Sequence, residues 1–233
     1  MDVTINKGNK TALLLGGSGL VGSFCLQHLL ASPIYEKVVS FGRRELDMAH
    51  EKLTQHVIDF DEVHHYQKLF QGDDLFCCLG TNIKKAGSKT AFRKVDFHYP
   101  LQIAEMAAWN KVGQFILVSS AGADSDALIF YSKVKGELEE AIKDLSFWGI
   151  HIMQPAVLLG ERKESRPLER FGMIVSQGLN YLVGDMLGKY QPVNAEDVAL
   201  AMIAVAQDLQ GGHHVYPSDK IVKLGRKGSD LIR

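Results

Sequence analysis

The stretch that most constrains this chain runs from Thr11 to Leu30, TALLLGGSGLVGSFCLQHLL. An apolar run, Ala12 to Leu15, stops at a cluster of glycines, and apolar residues at helical spacing (Leu20, Val21, Phe24, Cys25, Leu29) begin at once. That pattern is strand, tight turn, helix. The glycines at Gly16, Gly19 and Gly22 have separable tasks. Gly16 lets the chain leave the strand, Gly19 lets backbone approach a pyrophosphate, and Gly22 lets the helix lie close on the sheet. Free N–H groups in the helix's first turn then face the phosphates, with the macrodipole adding favourable potential. The segment Gly16, Gly17, Ser18, Gly19, Leu20, Val21 and Gly22 is therefore a candidate dinucleotide-binding turn. A glycine-rich loop without a ligand has the same composition, so the rest of the chain must supply the remainder of such a site.

The alternation continues. Lys37 to Phe41, Thr54 to Phe60, Asp74 to Gly80, Gln114 to Val118 and Gly149 to Pro155 read as further strands. Helical patterns lie between them at Val63 to Gln71, Asp96 to Trp109 and Phe130 to Leu145, with Asp96 read as a helix cap and Pro100 tolerable in the first turn. Strands alternating with helices indicate an α/β fold with a doubly wound parallel sheet. The 233 residues suit a single domain with a small C-terminal, substrate-covering lobe, assigned to 160–192 and 209–233. Asn194 and Asp197 stand at capping-box spacing before a final helix, Val215 and Tyr216 suggest an edge strand, and Lys220 to Arg233 suggests a fraying helix.

Bulk properties exclude several classes. The formal net charge is −1, which favours neither nucleic acid nor an anionic membrane as partner. No apolar span reaches membrane-crossing length, and MDVTINKGNK lacks the apolar core of a signal peptide, so a cytoplasmic location is expected. Cys25, Cys77 and Cys78 form no CxxC and read as small core residues in a reducing compartment. The adjacent pairs His64-His65 and His213-His214 should diverge on a strand or a helix, so no metal site is expected.

Three positions point to the cofactor and its chemistry. About twenty residues past the last glycine, where an NAD-preferring protein keeps an acid for the ribose 2′-hydroxyl, stand Arg43 and Arg44. Guanidinium groups pair with a 2′-phosphate, which favours NADP(H) over NAD(H), although solvated loop charges or pairing with Glu45 would use the same residues. At the end of the third strand Asp59 either accepts a hydrogen bond from adenine or caps the next turn, and Phe60 is placed to pack on the ring. Tyr131 and Lys135 form Y-x-x-x-K, four residues apart on one helix face. An ammonium beside a phenol makes its proton easier to give up. Tyr131 is thus the candidate acid/base in a hydride transfer to a carbonyl, with Lys135 also binding the nicotinamide ribose. Ser120, with Ser119 second, would polarise the carbonyl.

The ordered set GGSGLVG (16–22), SFGRREL (40–46), FCCLGT (76–81), VD (95–96), VSSAGAD (118–124), YSKVKGELE (131–139) and PAVLLGERKESRP (155–167) resembles the short-chain dehydrogenase/reductases. The likeness is to the extended or atypical branch, closest to its Tat-interacting-protein-like oxidoreductase subgroup, and covers nearly the whole chain. It implies a Rossmann fold, Arg43 and Arg44 on the 2′-phosphate, and Leu79, Gly80 and Thr81 lining the cofactor. Pro155, Ala156, Val157 and Leu158 would meet the nicotinamide carboxamide. The serines precede Tyr131 by only 11 or 12 residues, closer than in most of the branch, which bears on the orientation of Ser120. The late segment is short for a nucleotide-sugar cover, and Arg162, Arg166 and Arg170 are candidate anion contacts or solvated charges. The expected function is NADPH-dependent reduction of a small carbonyl, enone or quinone. The alternative is a catalytically weak NADPH sensor or protein-interaction module with a protein partner.

Overall fold

The computed structural model describes residues 8–160 and 188–232. Seven strands form one parallel sheet: β1 (Lys10–Leu15), β2 (Tyr35–Gly42), β3 (Leu53–Val57), β4 (Asp74–Cys77), β5 (Gln114–Val118), β6 (Gly149–Gln154) and β9 (Gly212–Pro217). Their order is β3-β2-β1-β4-β5-β6-β9, so the winding reverses between β1 and β4. In such a sheet the crevice beyond the carboxyl ends at the reversal is where ligands bind. A two-residue pairing joins β7 (Leu158–Leu159) to β8 (Val193–Asn194).

The strands are apolar on both faces because helices cover both. Ala12 and Leu14 of β1 pack with α1 (Leu20–Ala31) and α6 (Ala195–Asp208), through Cys25, Leu29, Val198 and Met202. Leu13 and Leu15 face α4 (Tyr99–Trp109) and α5 (Phe130–Ile142), through Ile103, Ala107, Leu138 and Ile142. Cys25 and Cys77 are buried and Cys78 partly so, as expected of core residues. At the amino end of the sheet a buried polar cluster replaces hydrocarbon. Asp74 accepts from Lys10 at 3.0 Å, the Tyr35 hydroxyl at 2.6 Å and Gln114 at 2.7 Å. Burial nevertheless outweighs Lys10 and holds the Asp74 carboxyl above its usual range.

Several expectations change. Of the segment 209–233 expected in a lobe, the described residues 209–232 belong to the main body: β9 pairs with β6 along its whole length, and α7 (Ser218–Ile232) packs on α6. Residues 161–187, with Arg162, Arg166 and Arg170, lie outside the described residues. Asn194 does precede α6, but its side chain donates to the Asp197 carboxylate at 3.2 Å instead of capping an amide. His64 and His65 do not diverge. They lie in a 3₁₀ segment (Phe60–Leu69) kinked at Glu62, which brings their ring centroids to 4.1 Å. With Glu62 they offer metal-ligating atoms within 4.8 Å of one another, all on exposed side chains.

His151 of β6 is buried, its Nδ1 sharing a hydrogen bond with the Tyr216 hydroxyl at 3.0 Å. Burial, then the facing His214, hold its imidazole down to about 4. The unfolded chain binds this proton near pH 6.5 and the folded chain only near 4. The stabilisation is therefore complete above pH 6.5 and is lost as pH falls toward 4. Urea unfolding at pH 7 and pH 4 should show a loss of about 3 kcal/mol that is absent in His151→Leu.

Candidate active site

The crevice begins at the turn after β1. Gly16 has φ +80°, and a Cβ there would stand 2.6 Å from the Cys78 carbonyl oxygen. A Cβ on Gly22 would overlap the Gly16 carbonyl oxygen. The turns after β1 and β4 thus touch backbone to backbone, which only glycine permits. The Gly19 amide donates to the Gly16 carbonyl at 2.9 Å, closing the turn, and among the described residues no side chain caps α1. Its first-turn N–H groups are left for an anion, and Ser18 and Gly19 are exposed above them. The turn's backbone therefore fits a diphosphate.

Arg43 and Arg44 follow β2, whose Phe41 pairs with Leu15, and both are exposed beside the glycine turn. Among the described residues no ion pair engages Arg43, Arg44 or Glu45. Asp59 adopts the turn-capping alternative, its carboxylate accepting from the Asp61 amide at 2.9 Å. Phe60 is buried against Tyr99 with ring centroids 5.4 Å apart, so its ring is spent on the core. The reason is that β3 stops at Val57 and the following residues turn inward.

Leu79, Gly80 and Thr81 leave β4 beside the glycine turn. The Thr81 amide donates to Asp96 at 2.9 Å, and a Cβ on Gly80 would lie 3.8 Å from Lys135 Nζ. Tyr131 and Lys135 both lie on α5. Tyr131 is half-buried with its ring 5.6 Å from that of Phe92, and Lys135 is buried. Burial pulls the Lys135 ammonium down, but the Asp96 carboxylate and then the Tyr131 phenol outweigh it and hold it above its ordinary value. The two serines are not equivalent. Ser119 donates its hydroxyl to Glu139, so that oxygen is committed to the protein. Among the described residues the Ser120 hydroxyl makes only a long contact, 3.3 Å to the Ala121 carbonyl. Pro155 to Leu158 form a braced turn: the Pro155 carbonyl accepts from Ala121 at 3.0 Å, the Ala156 amide donates to Ser218 at 3.0 Å, and the Val157 carbonyl accepts from Val193 at 2.8 Å.

Two residues, Asp96 and Glu139, join the site without having been singled out for it. Asp96 does not cap a helix: it is wholly buried and lies 2.8 Å from Lys135. The helix does not begin there, because α3 (Lys89–Arg93), a π turn (Lys94–His98) and α4 run on without a break in helical backbone. Glu139 is buried, accepting from Ser119 and from Gln154 at 2.9 and 3.1 Å. Burial raises its carboxyl above the usual range despite these donors. The signal for Glu139 was its position four residues after Lys135 on the same helix face.

Comparison with known proteins gives the family and the fold. The profile of the NAD dependent epimerase/dehydratase family matches residues 12–217. Protein HTATIP2 from Rattus norvegicus is 41% identical over 165 residues, 69% of this chain and 68% of its own length. Protein FMP52, mitochondrial, from Candida albicans is 32% identical over 230 residues, 96% of this chain and 97% of its own. Among solved structures, the Bordetella bronchiseptica enzyme WbmH in complex with NAD+ superposes with a TM-score of 0.69 at 19% identity, covering 93% of this chain and 79% of that one. The cytoplasmic expectation is corrected by these relatives, several of which are named mitochondrial. It rested on the lack of an apolar leader or span. No described helix is long and apolar enough to cross a membrane, but that property does not specify a compartment. The chain belongs to the NAD dependent epimerase/dehydratase family, the extended short-chain dehydrogenase/reductase type of NAD(P)-binding oxidoreductase, within its Tat-interacting-protein-like subgroup.

Proposed function

We propose that the protein is an NADPH-dependent oxidoreductase that reduces a small carbonyl, enone or quinone. The observation that carries the reading is the buried Lys135 ammonium, which lies beside the Gly80 turn and is held up in part by the Tyr131 phenol on its own helix. When bound, the nicotinamide supplies hydride to the electrophilic carbon. Tyr131 gives its phenolic proton to the oxygen that gains the electron pair, and Ser120, whose hydroxyl is only weakly engaged, donates a hydrogen bond to that oxygen. Lys135 stabilises the phenolate left behind and binds the nicotinamide ribose. Ser119 supports the site through Glu139 rather than touching substrate. The glycine turn holds the diphosphate and Arg43 and Arg44 the 2′-phosphate, a role favoured by the lack, among the described residues, of a carboxylate paired with either.

With a panel of small carbonyls, enones and quinones, Tyr131→Phe should lower turnover by about a hundredfold or more while NADPH affinity stays within about threefold. A parent protein that binds NADPH but turns over none of the panel would instead favour a sensor. Turnover confined to nucleotide-sugars would overturn the substrate class. Fluorescence titration with each cofactor should show tighter NADPH than NADH binding, levelled or reversed in Arg43→Asp. Tighter NADH binding by the parent would refute the role given to the arginines.

A further inference from the structure

We propose that Glu62, His64 and His65 form a surface site for a divalent transition-metal ion of the zinc class, separate from the chemistry assigned to Tyr131. Their ligating atoms all lie within 4.8 Å of one another. One carboxylate oxygen, Glu62 Oε2, stands 3.6 Å from His64 Nε2 and 3.9 Å from His65 Nδ1. Both separations are too long for a hydrogen bond, so the carboxylate faces two imidazoles without being bonded to either. Among the described residues neither ring has another polar partner, and the two rings lie 4.1 Å apart at an angle of 57°.

The local backbone explains how neighbouring histidines come to face one acid. The segment Phe60–Leu69 is a 3₁₀ helix, in which side chains three residues apart stand over one another. That spacing sets Glu62 and His65 in one line. On a regular turn His64 would stand a third of a turn away from that line. Glu62 departs from helical geometry, with φ −115° and ψ 29°, and at this kink His64 joins the pair. The kink is held from both sides. The Asp59 carboxylate accepts from the Asp61 amide at 2.9 Å, and Asp61 itself accepts from Lys94 at 2.8 Å and the Tyr99 hydroxyl at 2.7 Å. Phe60 and Val63 anchor the same turn in the core. The backbone beneath the three ligands is thus fixed, while their side chains are exposed and free to adjust.

The donor set selects the ion. Two imidazole nitrogens and one carboxylate oxygen suit zinc, nickel or copper, whereas calcium and magnesium take oxygen ligands. Four-coordinate zinc keeps such donors about 2.1 Å away, which spaces them about 3.4 Å from one another. The 3.6 and 3.9 Å separations are close to that span, and rotation of exposed side chains closes the remainder. Each imidazole would bind through the nitrogen that faces Glu62 and keep its proton on the other. Three protein ligands leave the fourth position to water.

The test is zinc binding by the untagged full-length chain without cofactor, read by competition with a chromophoric zinc indicator. No turnover enters the measurement, so it stands or fails apart from the reading of Tyr131. The parent should bind one zinc ion per chain in the micromolar range. His64→Gln and His65→Gln should each weaken binding about tenfold or more, and Glu62→Gln should weaken it severalfold. His213→Gln, at an exposed histidine of β9, should stay within about twofold. Zinc should also raise the unfolding temperature of the parent but not of the double variant His64→Gln/His65→Gln. Copper(II) bound in place of zinc should show two coupled nitrogens by electron paramagnetic resonance. The absence of zinc binding, binding that survives either histidine substitution unchanged, or a copper spectrum with one nitrogen or none would overturn the inference.

Discussion

Backbone contact at the point where the sheet reverses is the constraint on which the rest of this molecule depends. Gly22 rests on the Gly16 carbonyl, and Gly16 in turn stands against the Cys78 carbonyl, so α1, β1 and β4 approach more closely than side chains would allow. From that junction a series of contacts leads outward. Leu79–Thr81 leaves β4, the Thr81 amide rests on Asp96, Asp96 pairs with Lys135, and the Tyr131 phenol on the same helix acts on Lys135. The place where a diphosphate would lie and the phenol are thus connected through the protein by three or four short steps.

Buried charge occurs at both ends of β4, with different consequences. At the amino end, Lys10 and Asp74 are surrounded by Tyr35, Gln114 and the Ala206 carbonyl, and every partner belongs to the scaffold. At the carboxyl end, Asp96 and Lys135 face the crevice beside the exposed Gly80. A buried pair adds little net stability compared with hydrocarbon of the same volume. The first pair fixes geometry and nothing more. The second lies beside the turn that follows β4, at the crevice.

Much of this was legible in the chain. The glycine turn, six of the seven sheet strands and the Y-x-x-x-K pair are encoded by local pattern, because apolar runs and glycine spacing act over a few residues. The seventh strand, β9, was legible only as a possible edge, since its exposed alternation gives a weak signal. Asp96 was misread because an aspartate shortly before a proline resembles a helix start. Its partner in the fold is Lys135, 39 residues away in the chain. Ser119 and Ser120 are indistinguishable in sequence, and what separates them is Glu139, one helix over. The convergence of His64 and His65 depended on a kink at Glu62 that no periodicity announces.

The Ala-rich helix α6 offers almost no side to water: from Ala195 to Ala206 ten residues are buried, between the sheet, α1 and α7. Its outer cover is α7, whose Gly225 and Gly228 lie against the backbone at Asp197 and Leu200. During synthesis the sheet's first six strands and α6 emerge before that cover exists. The nascent chain therefore carries an uncovered apolar helix until residues 218–232 clear the ribosome, and a segment made later is the one that shields the earlier one from water.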